Sequence, residues 1–140
     1  MADFKMGPYV CRSGRMDLFK QFHVQRRISI IYPAFAGAKA VYKTDPIIAM
    51  SYITSAMMRL SDADWDFVLH ACLDVVQVQQ GNAWCPIKTS GTTQLQYADL
   101  QLANLNMLLY HVIYEHFAPF IDALPLMAST ILESSNPKSN

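Results

Sequence analysis

The stretch "MADFKMGPYVCRSGR", residues 1–15, decides how much of this chain must be explained by helices. It holds Gly7, Pro8, Ser13 and Gly14 and shows no helical period, so it reads as a mobile arm. It also lacks the apolar run of a secretory leader, so no export signal is expected. If the arm adds no regular element, the fold is whatever the segments from Met16 onward make together.

Those segments read as helices. Asp17 stands in N-cap position before "LFKQFHVQRRISII", where Leu18, Phe22, Val24, Ile28 and Ile31 fall largely on one side. Pro33 should end or kink that helix near Ile31 and open a second one, "PAFAGAKAVYK", whose alanines permit close packing. "TDPIIAMSYITSAMMRL" carries the clearest start signal: Asp45 can cap free amides while Pro46 sits where no amide hydrogen is needed. In "LSDADWDFVLHACLDVV" Ser61 caps and Asp64 answers from the third position, predicting a helix to about Gln79. "GNAWCPIKTSGTT", from Gly81, is punctuated as a structured loop or a small hairpin. A long helix is expected from about Leu95 to Phe117, apolar over most of its circumference and therefore central. Pro119 and Pro125 should bracket a last turn, with a polar tail behind it.

The expected fold is all-α, a compact bundle of about five helices, with at most one short β-hairpin or structured loop around 81–94. Its parts are a mobile arm at 1–15, one helical domain at 16–127 and a flexible tail at 128–140.

Composition bounds the function. The chain's 140 residues suit one core, and 52% hydrophobic against 16% charged residues implies apolar surface as well. Three cysteines without CxxC spacing argue against a disulfide framework or zinc knuckle and for a reducing cytoplasm. The most apolar stretch, "LQLANLNMLLYHVIY", is broken by Gln101, Asn104, Asn106 and His111, so a soluble protein is expected. Net charge is zero but divided. Residues 1–60 carry nine Lys and Arg against three Asp, a balance of +6, and residues 61–140 carry two Lys against eight acids, a balance of −6. Either the halves neutralise each other in one fold or copies associate head to tail.

The one stretch that invites an enzymatic reading is "DWDFVLHACLDVV", Asp64 to Val76. On a helix at 100° per residue His70 and Cys72 lie 200° apart and cannot form a base and nucleophile pair. Asp66, His70, Asp74 and Gln77 make a polar stripe, and Cys72 falls on the opposite, core-facing side. None of His23, His70, His111 and His116 pairs at i, i+3 or i+4, so no metal site is expected. "TSGTT" is a weak phosphate motif without the strand and helix that would give it meaning. No catalytic residue and no cofactor are expected. Lys20, Arg26 and Arg27 could edge a DNA reader, but the chain has no basic excess.

"FKQFHVQRRISIIYPAF", "LSDADWDFVLHACLDVV", a loop with "WCP" and "LNMLLYHVIYEHFAPFI" together resemble the tail assembly chaperones of long-tailed bacteriophages, in a small helical group, over about Leu18 to Ile121. The resemblance implies a non-catalytic protein of the host bacterial cytoplasm, absent from the mature virion. It would coat the tape-measure protein and release it as tail tube subunits polymerise. The alternative is a small regulator binding DNA or a host protein. Candidate partner-binding residues are Phe19, Arg26 and Arg27 on the basic side and Asp62, Asp64 and Asp66 on the acidic side, the charged ones also serving contacts between copies.

Overall fold

The computed structural model describes residues 2–88, 97 and 100–124. In it the first residues form a hairpin rather than an arm. Ala2–Met6 (β1) pairs antiparallel with Tyr9–Ser13 (β2), Met6 opposite Tyr9 and Phe4 opposite Cys11. Gly7, at φ +60°, supplies the positive φ that a two-residue type II′ turn requires at its first central position. Phe4, Met6, Cys11 and Ser13 are buried while Asp3 and Lys5 are exposed, the alternation of a strand with one wet face.

A second hairpin replaces the end of the predicted fourth helix. That helix stops at Leu73, and Val76–Gln80 (β3) and Ala83–Pro86 (β4) follow, joined at Gly81, again at φ +60°. In "VQVQQ" Val76 and Val78 are buried and Gln77 and Gln79 exposed, a period of two. β2 then pairs with β3, Cys11 opposite Val78 and Ser13 opposite Val76, giving one antiparallel sheet in the order β1-β2-β3-β4. The protein is therefore mixed α/β, not the expected all-α bundle. The expectation fails because two short hairpins with weak local signals are joined by a pairing between segments more than sixty residues apart, which no local pattern reveals.

The helices are Leu18–Ile28 (α1), Tyr32–Val41 (α2), Pro46–Ala56 (α3), Asp62–Leu73 (α4) and Leu102–Asp122 (α5). Local chemistry sets their starts. Asp17 accepts from the Lys20 amide at 2.8 Å, Asp45 from Ile48 at 3.1 Å and Ser61 from Asp64 at 3.1 Å. A 3₁₀ turn, Ser29–Ile31, links α1 to α2, with Pro33 in the first turn of α2. α5 begins at Leu102 behind a capping box of Gln101 and Asn104, with Tyr97 and Leu100 outside it, rather than near Leu95. It also continues past Pro119. Phe117 takes up the kink at φ −120°, ψ 15°, because proline offers no amide hydrogen and crowds the carbonyl four residues back. The "TSGTT" stretch, Pro125 and the tail at 128–140 lie outside the described residues.

α5 is central: Leu108, Val112, Ile113 and Ile121 are fully buried. Its tie to the sheet is His116. The Met16 amide, just beyond β2, donates to His116 Nε2 at 2.9 Å, and His116 Nδ1 lies 2.9 Å from the Val112 carbonyl. Both bonds are made by a neutral ring protonated on Nδ1. Burial lowers the pKa of His116 below its ordinary 6.5. It does the same for His111, which stacks on Phe4 at 4.7 Å.

The unfolded chain therefore takes up protons near pH 6.5 before the folded one does. The histidines' contribution to stability is complete above pH 6.5 and is lost as pH falls below it. His116→Ala should cost roughly 2–3 kcal/mol at pH 7.5 through two lost buried hydrogen bonds. It should also flatten the loss of stability between pH 7.5 and 5.5. Urea unfolding of both proteins at the two pH values checks this, and parallel pH dependences would contradict it.

Candidate partner-binding surface

The predicted site residues divide into two that meet and four that do not. α1 packs on α4 around Phe67. The Arg27 guanidinium lies 4.0 Å from the centre of that ring, Lys20 Nζ 5.3 Å from it, and His23 meets it edge-on at 6.4 Å. Arg27 Nη1 donates to the His23 carbonyl at 2.8 Å, and its Nε stands 3.2 Å from Asp64 at ion-pair distance without hydrogen-bond alignment. The Asp64 carboxylate, expected to complete the helix cap, is turned to Arg27 instead. Arg27 and Asp64 thus form an ion pair within one copy. The DNA-contacting edge suggested by Lys20, Arg26 and Arg27 is split by the same packing, since two of the three cover Phe67.

A second link joins the basic and acidic halves. Lys39 donates to Asp122 at 3.0 Å, and the Tyr114 hydroxyl reaches the same carboxylate at 2.8 Å. Hydrogen bonds from Lys39 and then Tyr114 hold Asp122 below the usual carboxylate range. Contacts with Tyr114 and Asp122 raise Lys39. Arg12 with Asp3, at 3.4 Å, and Lys88 with Asp74, at 2.6 Å, pair inside their own halves.

The other four predicted residues, Phe19, Arg26, Asp62 and Asp66, are exposed. Phe19, Phe22, Arg26 and Ile30 follow one another at spacings of three, four and four down the outer side of α1 and its 3₁₀ extension, with Leu18 beside them. Leu18 and Phe19 are 77% and 78% exposed. The sequence reading put Leu18 and Phe22 with Val24, Ile28 and Ile31 on a core-facing side. The structure buries only the last three, because α1 turns its inward side to Phe67 and the core. Asp62 and Asp66, one helical turn apart on α4, have no ion pair among the described residues.

A second apolar group is Ile47, Ile48 and Tyr52 on α3 with Met58 beyond it, of which Ile47 is 83% and Met58 89% exposed; the sequence suggests an adaptable binding groove only for its methionines, Met57 and Met58 among them, and no role for the rest. The available signal was that α3 is apolar on both of its sides, too much for one buried stripe. An open groove of about 290 Å³ runs beside it, lined by Ile31, Pro33, Tyr52 and Arg59 among others.

Cys72 is fully buried, and burial pushes its thiol pKa up, away from a reactive thiolate. Among the described residues no three His, Cys, Asp or Glu side chains gather as a metal site would need, and no helix is long and apolar enough to cross a membrane.

If the Arg27 and Asp64 contact joins the two helices, a double-mutant cycle with Arg27→Ala and Asp64→Ala should give a coupling of about 0.5–1 kcal/mol in urea unfolding, weakened in about 1 M NaCl. Arg27→Ala alone should cost about 1 kcal/mol more than Asp64→Ala, because it also uncovers Phe67. Additive single effects would show the pair to be uncoupled.

Comparison with known proteins bears on what this surface serves. Neither the curated proteins nor the solved structures give a match. A family model described as phage tail assembly chaperone protein, TAC, matches residues 10–128, a span that takes in most of β2 and all of β3, β4 and the five helices. The match covers far more than half of the sequence, and the chain belongs to the phage tail assembly chaperone family.

Proposed function

We propose that this chaperone works by covering the tape-measure protein during tail assembly, with the outer side of α1 as its contact surface. The observation that carries this reading is the exposed row of Phe19, Phe22 and Ile30 beside Leu18, against which no described element packs. A monomer gains nothing from showing four large apolar side chains together, whereas an amphipathic partner helix laid against them removes that surface from water. Arg26, set within the row, would meet an acidic side chain flanking the partner's apolar stripe. Burial of a few hundred Å² per copy gives weak individual binding, so a tight coat needs many copies along one long partner. Release then requires only that tube subunits compete for the same apolar stripe.

On this reading the protein is not an enzyme, acts in the host bacterial cytoplasm and leaves before the virion is complete. No specific observation favours a DNA- or host-protein-binding regulator over it.

Co-expression with the tape-measure protein should give a co-purifying complex holding several copies of this chain. Phe19→Ser combined with Phe22→Ser should abolish that complex. The substitutions lie on exposed positions, so the thermal midpoint should shift by no more than about 2–4 °C. A complex that survives the double substitution would remove α1 from the contact, and failure of the wild-type chain to associate would overturn the proposal.

A further inference from the structure

The two edges of the sheet are treated differently. In a two-residue hairpin the residues flanking the turn exchange both backbone bonds, and such narrow pairs recur at every second residue. Counting from Gln80 opposite Ala83, the β4 residues whose amides and carbonyls face outward are Trp84 and Pro86. Pro86 has no amide hydrogen, so that edge lacks a donor where a further strand would need one. On β1 the count runs from Met6 opposite Tyr9, with the next narrow pair Phe4 and Cys11. The outward-facing groups are therefore those of Asp3 and Lys5, and both positions keep their amide hydrogen. No described strand lies beyond β1.

The side chains at those two positions are exposed and opposite in charge. We propose that the outer edge of β1 is a self-complementary docking edge that pairs antiparallel with β1 of a second copy, placing Asp3 opposite the partner's Lys5 and Lys5 opposite the partner's Asp3. The two-fold axis then passes between Phe4 and the partner's Phe4. The two charged pairs occupy narrow positions, each exchanging two backbone bonds, so the contact carries about four. Only this register combines hydrogen-bond phase with charge. A shift of one residue sets outward-facing groups against inward-facing ones. A shift of two sets Asp3 against Asp3 or Lys5 against Lys5, and directly opposed like charges are unfavourable. A regular five-residue edge strand without proline or bulge keeps its backbone groups available, and its two charges, opposite in sign, disfavour the other registers rather than this one. The contact is independent of α1 and does not rest on the tape-measure reading.

So short a pairing gives a weak, reversible dimer, best followed by sedimentation velocity of the intact protein from about 5 to 500 µM. The wild-type chain should shift from monomer to dimer over that range. Lys5→Asp alone and Asp3→Lys alone should each weaken association by about tenfold or more, because each opposes like charges twice. A one-to-one mixture of the two variants restores both opposite-charge pairs and should associate more tightly than either variant by itself. Circular dichroism matching the wild type would show that both variants are folded. A chain that stays monomeric throughout would overturn the proposal. So would a dimer that is indifferent to both substitutions, or a mixture no tighter than its components.

Discussion

Three residue pairs between β2 and β3, at Cys11 with Val78, Arg12 with Gln77 and Ser13 with Val76, hold the organisation of this protein together. They join two local hairpins into one sheet and close a loop of more than sixty residues. The entropy of that closure grows only slowly with length, and it is offset by burying Cys11, Val76 and Val78 together. The ladder extends one step further, with the Gly14 amide donating to the Val75 carbonyl at 2.7 Å. A β-carbon at position 14 would stand 3.1 Å from that oxygen, so the close approach favours glycine. The chain leaves this point at Met16, where His116 takes its amide. The sheet thus sets the start of α1, and through His116 its position against α5.

The distribution of charge follows from the same arrangement. A chain divided into a basic first half and an acidic second half is poised for either internal neutralisation or association between copies. Folding brings α1 to α4 and α2 to the end of α5, so Arg27 meets Asp64 and Lys39 meets Asp122 within one copy. These links lie at the surface and each contributes little to stability. Their larger effect is to draw Arg27 and Lys39 into contacts within the copy, while Phe19, Phe22 and Arg26 on α1 and Ile47, Ile48 and Tyr52 on α3 stay exposed. On the proposed function, an apolar partner helix would be covered by side chains such as Phe19 and Phe22 rather than held by long-range attraction, and competition for the same surface would reverse the contact.

Much of this was legible locally. Asp17, Asp45 and Ser61 cap helices because a short side-chain acceptor beside free amides needs no knowledge of the rest of the molecule. Helical angles alone place Cys72 on the core-facing side of α4, where it is buried. The strands were not read, for two separate reasons. In "VQVQQ" the two-residue period is plain, yet it continues directly from the helical pattern of "FVLHACLDVV", and a short stretch cannot show where one period hands over to the other. In "ADFKMGPYVCRS" the turn is a glycine–proline pair without the asparagine–glycine signature of most hairpins, and each flanking strand is only five residues long.

The sequence by itself determined where α1, α3 and α4 begin and which side of α4 carries the cysteine. Each of these depends on neighbours within a turn or two. Tertiary structure alone decided that residues 2–13 and 76–86 share a sheet, that Arg27 is used up on Asp64 and Phe67, and that Leu18 and Phe22 face outward while Val24 and Ile28 face inward. The physical reason is the same throughout. Helical spacing says which side chains share a side, but which side is buried depends on surfaces contributed by residues far away in the chain.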